Sequence, residues 1–125
     1  MTRTKVLLVD DEVEFASALA ERLQMRNYEV RTASNGLEAM ALFHEMPPDV
    51  VLLDLKIPGM DGLEILSNIK KFDPTIEVLM LTGHGDVSSV QKGMQSGALE
   101  YMMKPIDIDE LTSKIDKARK KKERG

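Results

Sequence analysis

Val50-Val51-Leu52-Leu53-Asp54 is the stretch that decides how this chain folds. A short apolar run bounded by turn residues reads as a strand buried on both faces, which is how strands of a parallel sheet are built. The design recurs along the chain. Val6-Leu7-Leu8-Val9 leads into Asp10-Asp11, Val78-Leu79-Met80-Leu81 leads into Thr82, and Ala98 to Met103 delivers Lys104 followed by Pro105. In parallel sheets the functional groups gather outside the carboxyl ends of the strands. Three carboxylates, a hydroxyl and an ammonium would then share one rim, a set able to hold a divalent cation beside a phosphoryl group.

Helical periodicity fills the intervals. Phe15, Ala16, Leu19, Ala20 and Leu23 fall at spacings of three and four, as on one face of a helix. Tyr28 to Thr32 alternates like an edge strand, and Asn35-Gly36 then marks a turn. Ala39, Met40 and Phe43 face inward from a second helix that Pro47-Pro48 stops. The loop Ile57-Pro58-Gly59-Met60-Asp61-Gly62 is dense in turn residues. Leu63, Leu66 and Ile69 define a third helix closed by Asp73-Pro74. Val87, Val90 and Met94 define a fourth that ends at Gly97. Ile108, Leu111, Ile115 and Ala118 define a fifth, capped at its start by Asp107 or Asp109. Five strands and five helices in alternation predict an α/β fold, a parallel sheet with helices on both faces. Right-handed crossovers and a switch point near the first strand put the site at the ends of strands one and three.

The bulk numbers narrow the chemistry. At 125 residues the chain is read as one domain, 1–125. Aromatics make up 4% and Trp is absent, so the core is aliphatic and filled out by Met. No cysteine occurs, which excludes disulfides and zinc-thiolate sites and is compatible with a cytoplasmic location. No apolar run approaches the roughly 20 residues needed to cross a bilayer, so no membrane partner is expected. Residues 117–125 hold six Lys/Arg against one Glu, leaving −9 of the net −4 on the rest of the chain. A basic C-terminal tail could contact nucleic acid. The preferred reading is a helix end, where cations suit the macrodipole, leading into a linker, with nucleic acid not bound directly by this domain.

Three clustered carboxylates repel one another unless a cation sits among them. Mg²⁺ (or Mn²⁺) meets that need with oxygen ligands and bridges carboxylate to phosphate. A carboxylate beside such a metal can attack phosphorus and form an aspartyl phosphate. Asp54, alone at its strand end, is the natural nucleophile. Asp10 and Asp11 suit metal coordination, Lys104 can neutralise phosphoryl oxygens, and the Thr82 hydroxyl can donate to one. Each element also has a structural reading. Asp11 can cap the helix that follows, and Lys104 can be an exposed lysine before a proline whose peptide bond is trans, as all but about 5% are. The conjunction at successive strand ends favours the chemical reading.

Val9-Asp10-Asp11-Glu12, Leu53-Asp54 with Ile57-Pro58-Gly59-Met60-Asp61-Gly62, Leu81-Thr82 and Tyr101 through Lys104-Pro105 together resemble the receiver domains of two-component response regulators, from about Lys5 to Lys117. The resemblance implies a five-stranded sheet of order 2-1-3-4-5 and Mg²⁺ held by Asp11, Asp54 and the backbone carbonyl of Lys56, with Asp10 assisting. It implies phosphoryl transfer from a sensor histidine kinase to Asp54 and a cis bond before Pro105. Thr82 and Tyr101 would be the switch pair, reporting phosphorylation on the face built by the fourth helix, fifth strand and fifth helix. The partners implied are an output domain or downstream effector protein, and a phosphorylation-dependent homodimer. Lys56 and His84, two residues after Asp54 and Thr82, are the candidates for tuning phosphoryl lifetime. Leu81-Thr82-Gly83-His84-Gly85-Asp86 also looks like receivers of transcription regulators.

Such a domain is a controlled binding module, not an enzyme with an external product. A phosphohydrolase of the haloacid-dehalogenase kind would need its nucleophile after the first strand and a second Asp two residues on, where this chain has Glu12. A flavin-binding domain of the same topology would want a hydroxyl- and glycine-rich loop there, and Asp10-Asp11-Glu12 would repel its phosphate. A degenerate receiver that binds partners without phosphorylation is the remaining rival, disfavoured because every chemical group is present.

Overall fold

A computed structural model describes residues 3–57, 60–83 and 87–124. Its centre is a parallel sheet of five strands: β1 (Lys5–Val9), β2 (Glu29–Ala33), β3 (Val50–Asp54), β4 (Glu77–Thr82) and β5 (Glu100–Met103). Their order is β2-β1-β3-β4-β5, with β2 and β5 at the edges. The helices α1 (Val13–Met25), α2 (Gly36–Glu45), α3 (Gly62–Phe72), α4 (Val87–Gln95) and α5 (Ile108–Arg124) follow the strands in strict alternation. No helix is long and apolar enough to cross a membrane among the described residues.

Side chains of successive strand residues point to opposite faces, and here that alternation divides the core in two. Val6, Leu8, Val50, Leu52, Leu79 and Leu81 pack with Leu19 and Leu23 of α1 and with Leu111 and Ile115 of α5. Leu7, Val9, Val51, Leu53, Val78 and Met80 pack on the other face with Phe43 of α2 and with Ile65, Leu66 and Ile69 of α3. All five residues of β3 are buried, the consequence of covering both faces of a central strand.

The helix boundaries have local causes. Asn35 caps α2, accepting from Glu38 N at 2.9 Å, while Glu38 Oε1 accepts from Ser34 N at 3.3 Å. Asp61 caps α3 through Leu63 N at 2.9 Å, and Asp107, of the two candidates, caps α5 through Glu110 N at 3.0 Å. Asn27 adopts a φ of 71° just after α1, a left-handed position that Asn tolerates. The turn-rich segment after β3 carries more structure than the sequence predicts, a two-residue antiparallel ladder pairing Lys56 with Asp61 and Ile57 with Met60.

The basic residues near the C-terminus lie in α5, which continues to Arg124. Because α5 runs back along the sheet, its second half meets the amino ends of the strands. Arg119 Nη1 donates to Thr4 Oγ1 at 2.8 Å, Lys122 pairs with Asp49 at 3.6 Å, and Lys121 approaches Glu77 at 3.8 Å. Earlier in α5, Asp116 accepts a 2.7 Å hydrogen bond from the buried Tyr28 hydroxyl.

Two tests follow from this packing. A Cβ on Gly62 would stand 2.5 Å from Leu55 Cα and 2.6 Å from Leu55 O, and backbone cannot yield as a flexible side chain can. Gly62→Ala should therefore cost about 1–3 kcal/mol, read as a lower urea midpoint. Burial and the Asp116 carboxylate push the Tyr28 phenol well above its ordinary value of 10.0. The folded state thus holds this proton more tightly than the unfolded chain. That stability is complete below pH 10 and is lost as pH rises beyond it. Tyr28→Phe should lose about 1–2 kcal/mol at neutral pH and show a shallower decline above pH 10 in urea titrations.

Candidate functional site

The alternation that divides the core also sorts the polar groups at the strand ends. Asp10 continues the face of Leu8, Asp54 that of Leu52, and Lys104 that of Met102, so the three converge on the α1/α5 side of the rim. The ladder extends far enough to hold them there, since Asp10 N donates to Ala33 O at 3.0 Å and Lys104 N to Thr82 O at 2.8 Å. Asp11 has the opposite parity. The chain then bends back, with Asp10 Oδ1 accepting from Glu12 N at 2.9 Å, and this turn brings Glu12 over Asp10.

Lys104 is the hub of the resulting cluster. Its Nζ lies 2.8 Å from Asp10 Oδ2, 2.6 Å from Glu12 Oε1 and 3.4 Å from Asp54 Oδ2, and sits 4.4 Å above the centroid of the Phe15 ring. Burial alone would depress the ammonium. The carboxylates of Asp10 and Glu12 and the charge on Asp54 outweigh it and hold Lys104 above the ordinary lysine range. The Asp10 side chain is fully sealed from solvent, whereas that of Glu12 is 61% exposed. The Lys104–Pro105 peptide bond is cis.

One oxygen from each of Asp10, Glu12 and Asp54 lies within 4.8 Å of the others, a carboxylate group that could hold a metal ion. Three carboxylates against one ammonium leave the pocket at −2, the charge a divalent cation neutralises. Asp10 Oδ2 is the telling atom. It is buried and has the Lys104 ammonium as its ion-pair partner at 2.8 Å, with no further hydrogen-bond donor on it. A sealed carboxylate with a single cationic partner retains lone pairs that a second cation could contact.

Thr82 occupies the other parity, shared with Met80, at the buried end of β4. Tyr101 and Met103 lie on the same side of the edge strand, 46% and 48% exposed. Between β5 and α4 runs a groove of about 590 Å³, lined by Thr82, Val87, Val90, Met94, Tyr101 and Met103 among others. The exposed Tyr101 and the buried Thr82 thus line one largely apolar space.

The expected residues divide accordingly. Asp10, Asp54 and Lys104 are together, with Thr82 on the neighbouring strand end. Asp11 is half-buried in the bend and does not belong to the carboxylate trio; Glu12 does. The Lys56 side chain and all of His84 lie outside the described residues. Glu12 and Phe15 were missed as site residues. A local signal places Glu12 beside Asp10, since an Asp that turns the chain at a strand end brings the side chain two residues on over its own, but nothing local announces its contact with Lys104.

Comparison with known proteins bears on this geometry. The family model for the response regulator receiver domain matches residues 6–116. The sporulation initiation phosphotransferase F of Bacillus subtilis (strain 168) is 40% identical over 117 residues, covering 94% of this chain and 94% of that protein. The DNA-binding transcriptional regulator NtrC of Salmonella typhimurium is 36% identical over 118 residues, but this chain spans only 25% of its length. Among solved structures, a response regulator receiver domain protein from Clostridium thermocellum superposes with a TM-score of 0.91 at 37% identity, over 96% of this chain and 97% of that one. The convergence of acidic groups and one lysine at these strand ends is therefore found in a chain that belongs to the receiver domains of two-component response regulators.

Proposed function

We propose that Asp54 is the phosphoacceptor. The observation that carries this reading is the meeting of Asp54, Asp10 and Lys104 at the carboxyl ends of β3, β1 and β5. In the proposed step an Asp54 carboxylate oxygen forms a bond to phosphorus as the bond to the leaving group breaks, the donor being a sensor histidine kinase. Asp54 is positioned by a fully buried strand, which holds the attacking oxygen in place. Lys104 neutralises charge on the phosphoryl oxygens, and the Thr82 hydroxyl donates to one of them. Asp10 and Asp54 would hold Mg²⁺ or Mn²⁺, with Asp11 and the Lys56 carbonyl as further ligands that the family resemblance implies. The metal, when bound, supplies Lewis-acid stabilisation of the transferring phosphoryl group.

The same reading assigns the groove beside Tyr101 to the output. Drawing the Thr82 hydroxyl toward a phosphoryl oxygen opens the inner end of the groove, and the Tyr101 ring can turn in to fill it. The α4–β5–α5 face would then present a different surface to an output domain, a downstream effector or a second copy of the chain. A phosphoryl group shifts this equilibrium only through its differential interaction with the two states, and Thr82 is the contact that provides it.

Incubation with acetyl phosphate and Mg²⁺ should add one phosphoryl group by intact mass, and Asp54→Asn should abolish the adduct. An unchanged yield in that variant would overturn the assignment, and sustained turnover of a generic phosphate ester would favour a phosphohydrolase. Thr82→Ala should still accept phosphate. Its amide NMR shifts with beryllofluoride and Mg²⁺ should shrink along β5 and α5 relative to wild type, and equal shifts there would exclude Thr82 as the coupling residue.

A further inference from the structure

Lys104 has one more carboxylate than the chemistry at Asp54 requires, and that carboxylate makes its shortest contact. We infer that Glu12 is a resting-state latch on Lys104, a positioning residue that holds the ammonium until a phosphoryl oxygen displaces it. The inference rests on the reading of Asp54 as phosphoacceptor and deepens it.

The three anionic partners of Lys104 differ in their freedom to leave. Asp10 is completely sealed and tied by its other oxygen to Glu12 N. Asp54, at 3.4 Å, is the most distant and is where the phosphoryl group would form. Glu12, at 2.6 Å, is closest, yet its side chain is 61% exposed, so it can swing into water with little change in hydration. The ammonium is also covered by the ring of Phe15, half-buried in the first turn of α1. An aromatic face attracts the cation and excludes the water that would otherwise solvate it. In contact with both a ring and a removable carboxylate, Lys104 exchanges one anion for another and is not stranded.

The exchange also changes the charge met by an incoming phosphoryl group. Glu12 stands at the exposed mouth of a pocket already at −2, and its departure removes one negative charge from the approach. The latch therefore sets the rate of phosphorylation without contributing a bond to the phosphorylated state.

The test compares wild type with Glu12→Gln, which keeps shape and removes charge, and with Glu12→Asp, which keeps charge and shortens reach. Acetylation of Lys104 by a small amine-reactive ester, without phosphoryl donor, is followed by peptide mass spectrometry. Glu12→Gln should react about threefold faster, the scale of releasing an exposed ion pair, with Glu12→Asp between it and wild type. At saturating Mg²⁺, phosphorylation by acetyl phosphate should accelerate by a similar factor of about three in Glu12→Gln. With beryllofluoride and Mg²⁺ bound, Lys104 should be protected equally in all three proteins. Unchanged Lys104 reactivity in Glu12→Gln would overturn the latch. So would unchanged phosphorylation at saturating Mg²⁺ accompanied by a higher Mg²⁺ requirement, which would make Glu12 a metal ligand alone. Failure of wild type itself to take up phosphate would instead refute the Asp54 assignment, and the latch with it.

Discussion

The two-residue period of a parallel strand is the constraint on which the rest of this structure depends. It forces alternate aliphatic residues of β1, β3 and β4 into two separate cores, so the sheet is stable only with helices on both faces. The same period holds to the last residue of β3 and β4 and one residue past β1 and β5. Asp10, Asp54 and Lys104 then fall on one side of the rim, and Thr82 with Tyr101 on the other. The acidic cluster with Lys104 thus lies on one side of the sheet's end and Thr82 with Tyr101 on the other, Thr82 ending the strand that pairs with β3.

The cluster around Lys104 is a poor way to stabilise a protein. Bringing the Asp10 and Asp54 carboxylates and an ammonium out of water costs several kcal/mol per ion, and the attraction regained only offsets it when every oxygen is satisfied. Asp10 Oδ2 has the Lys104 ammonium beside it and no other polar partner. A domain selected for stability alone would replace such a group with aliphatic residues, as it does one layer below at Leu8 and Leu52. On the proposed reading, the strand ends retain the charges because phosphoryl chemistry requires a pocket that binds cation and anion together.

Much of this was legible in the sequence, and the remainder was hidden for physical reasons. Runs such as Val50 to Leu53 name their strands because burial on both faces permits only apolar residues, and the group ending each run inherits a place on the rim. The helix starts at Asn35 and Asp61 were marked by side chains whose role is to accept backbone N–H groups. Glu12 was not legible as a neighbour of Lys104, since that contact spans 92 positions and depends on the bend at Asp10. The Phe15 ring read as one more apolar position of α1, because its spacing is the same whether it meets a leucine or an ammonium. The ladder pairing Lys56 with Asp61 is two residues long, too short for any periodicity to show.

The course of α5 gives the molecule an electrical polarity. The three carboxylates of the pocket crowd the carboxyl ends of the strands, whereas the positive half of α5 is fastened to their amino ends at Thr4, Asp49 and Glu77. A protein so charged carries a dipole directed along its strands. In the field of a larger charged body it tumbles with a preferred heading, the acidic pole turned toward positive surfaces and the basic pole toward negative ones. Such orientation acts over about a Debye length, roughly 10 Å at 0.1 M salt. Within that range a partner with a basic rim would meet the end of the domain where the chemistry lies.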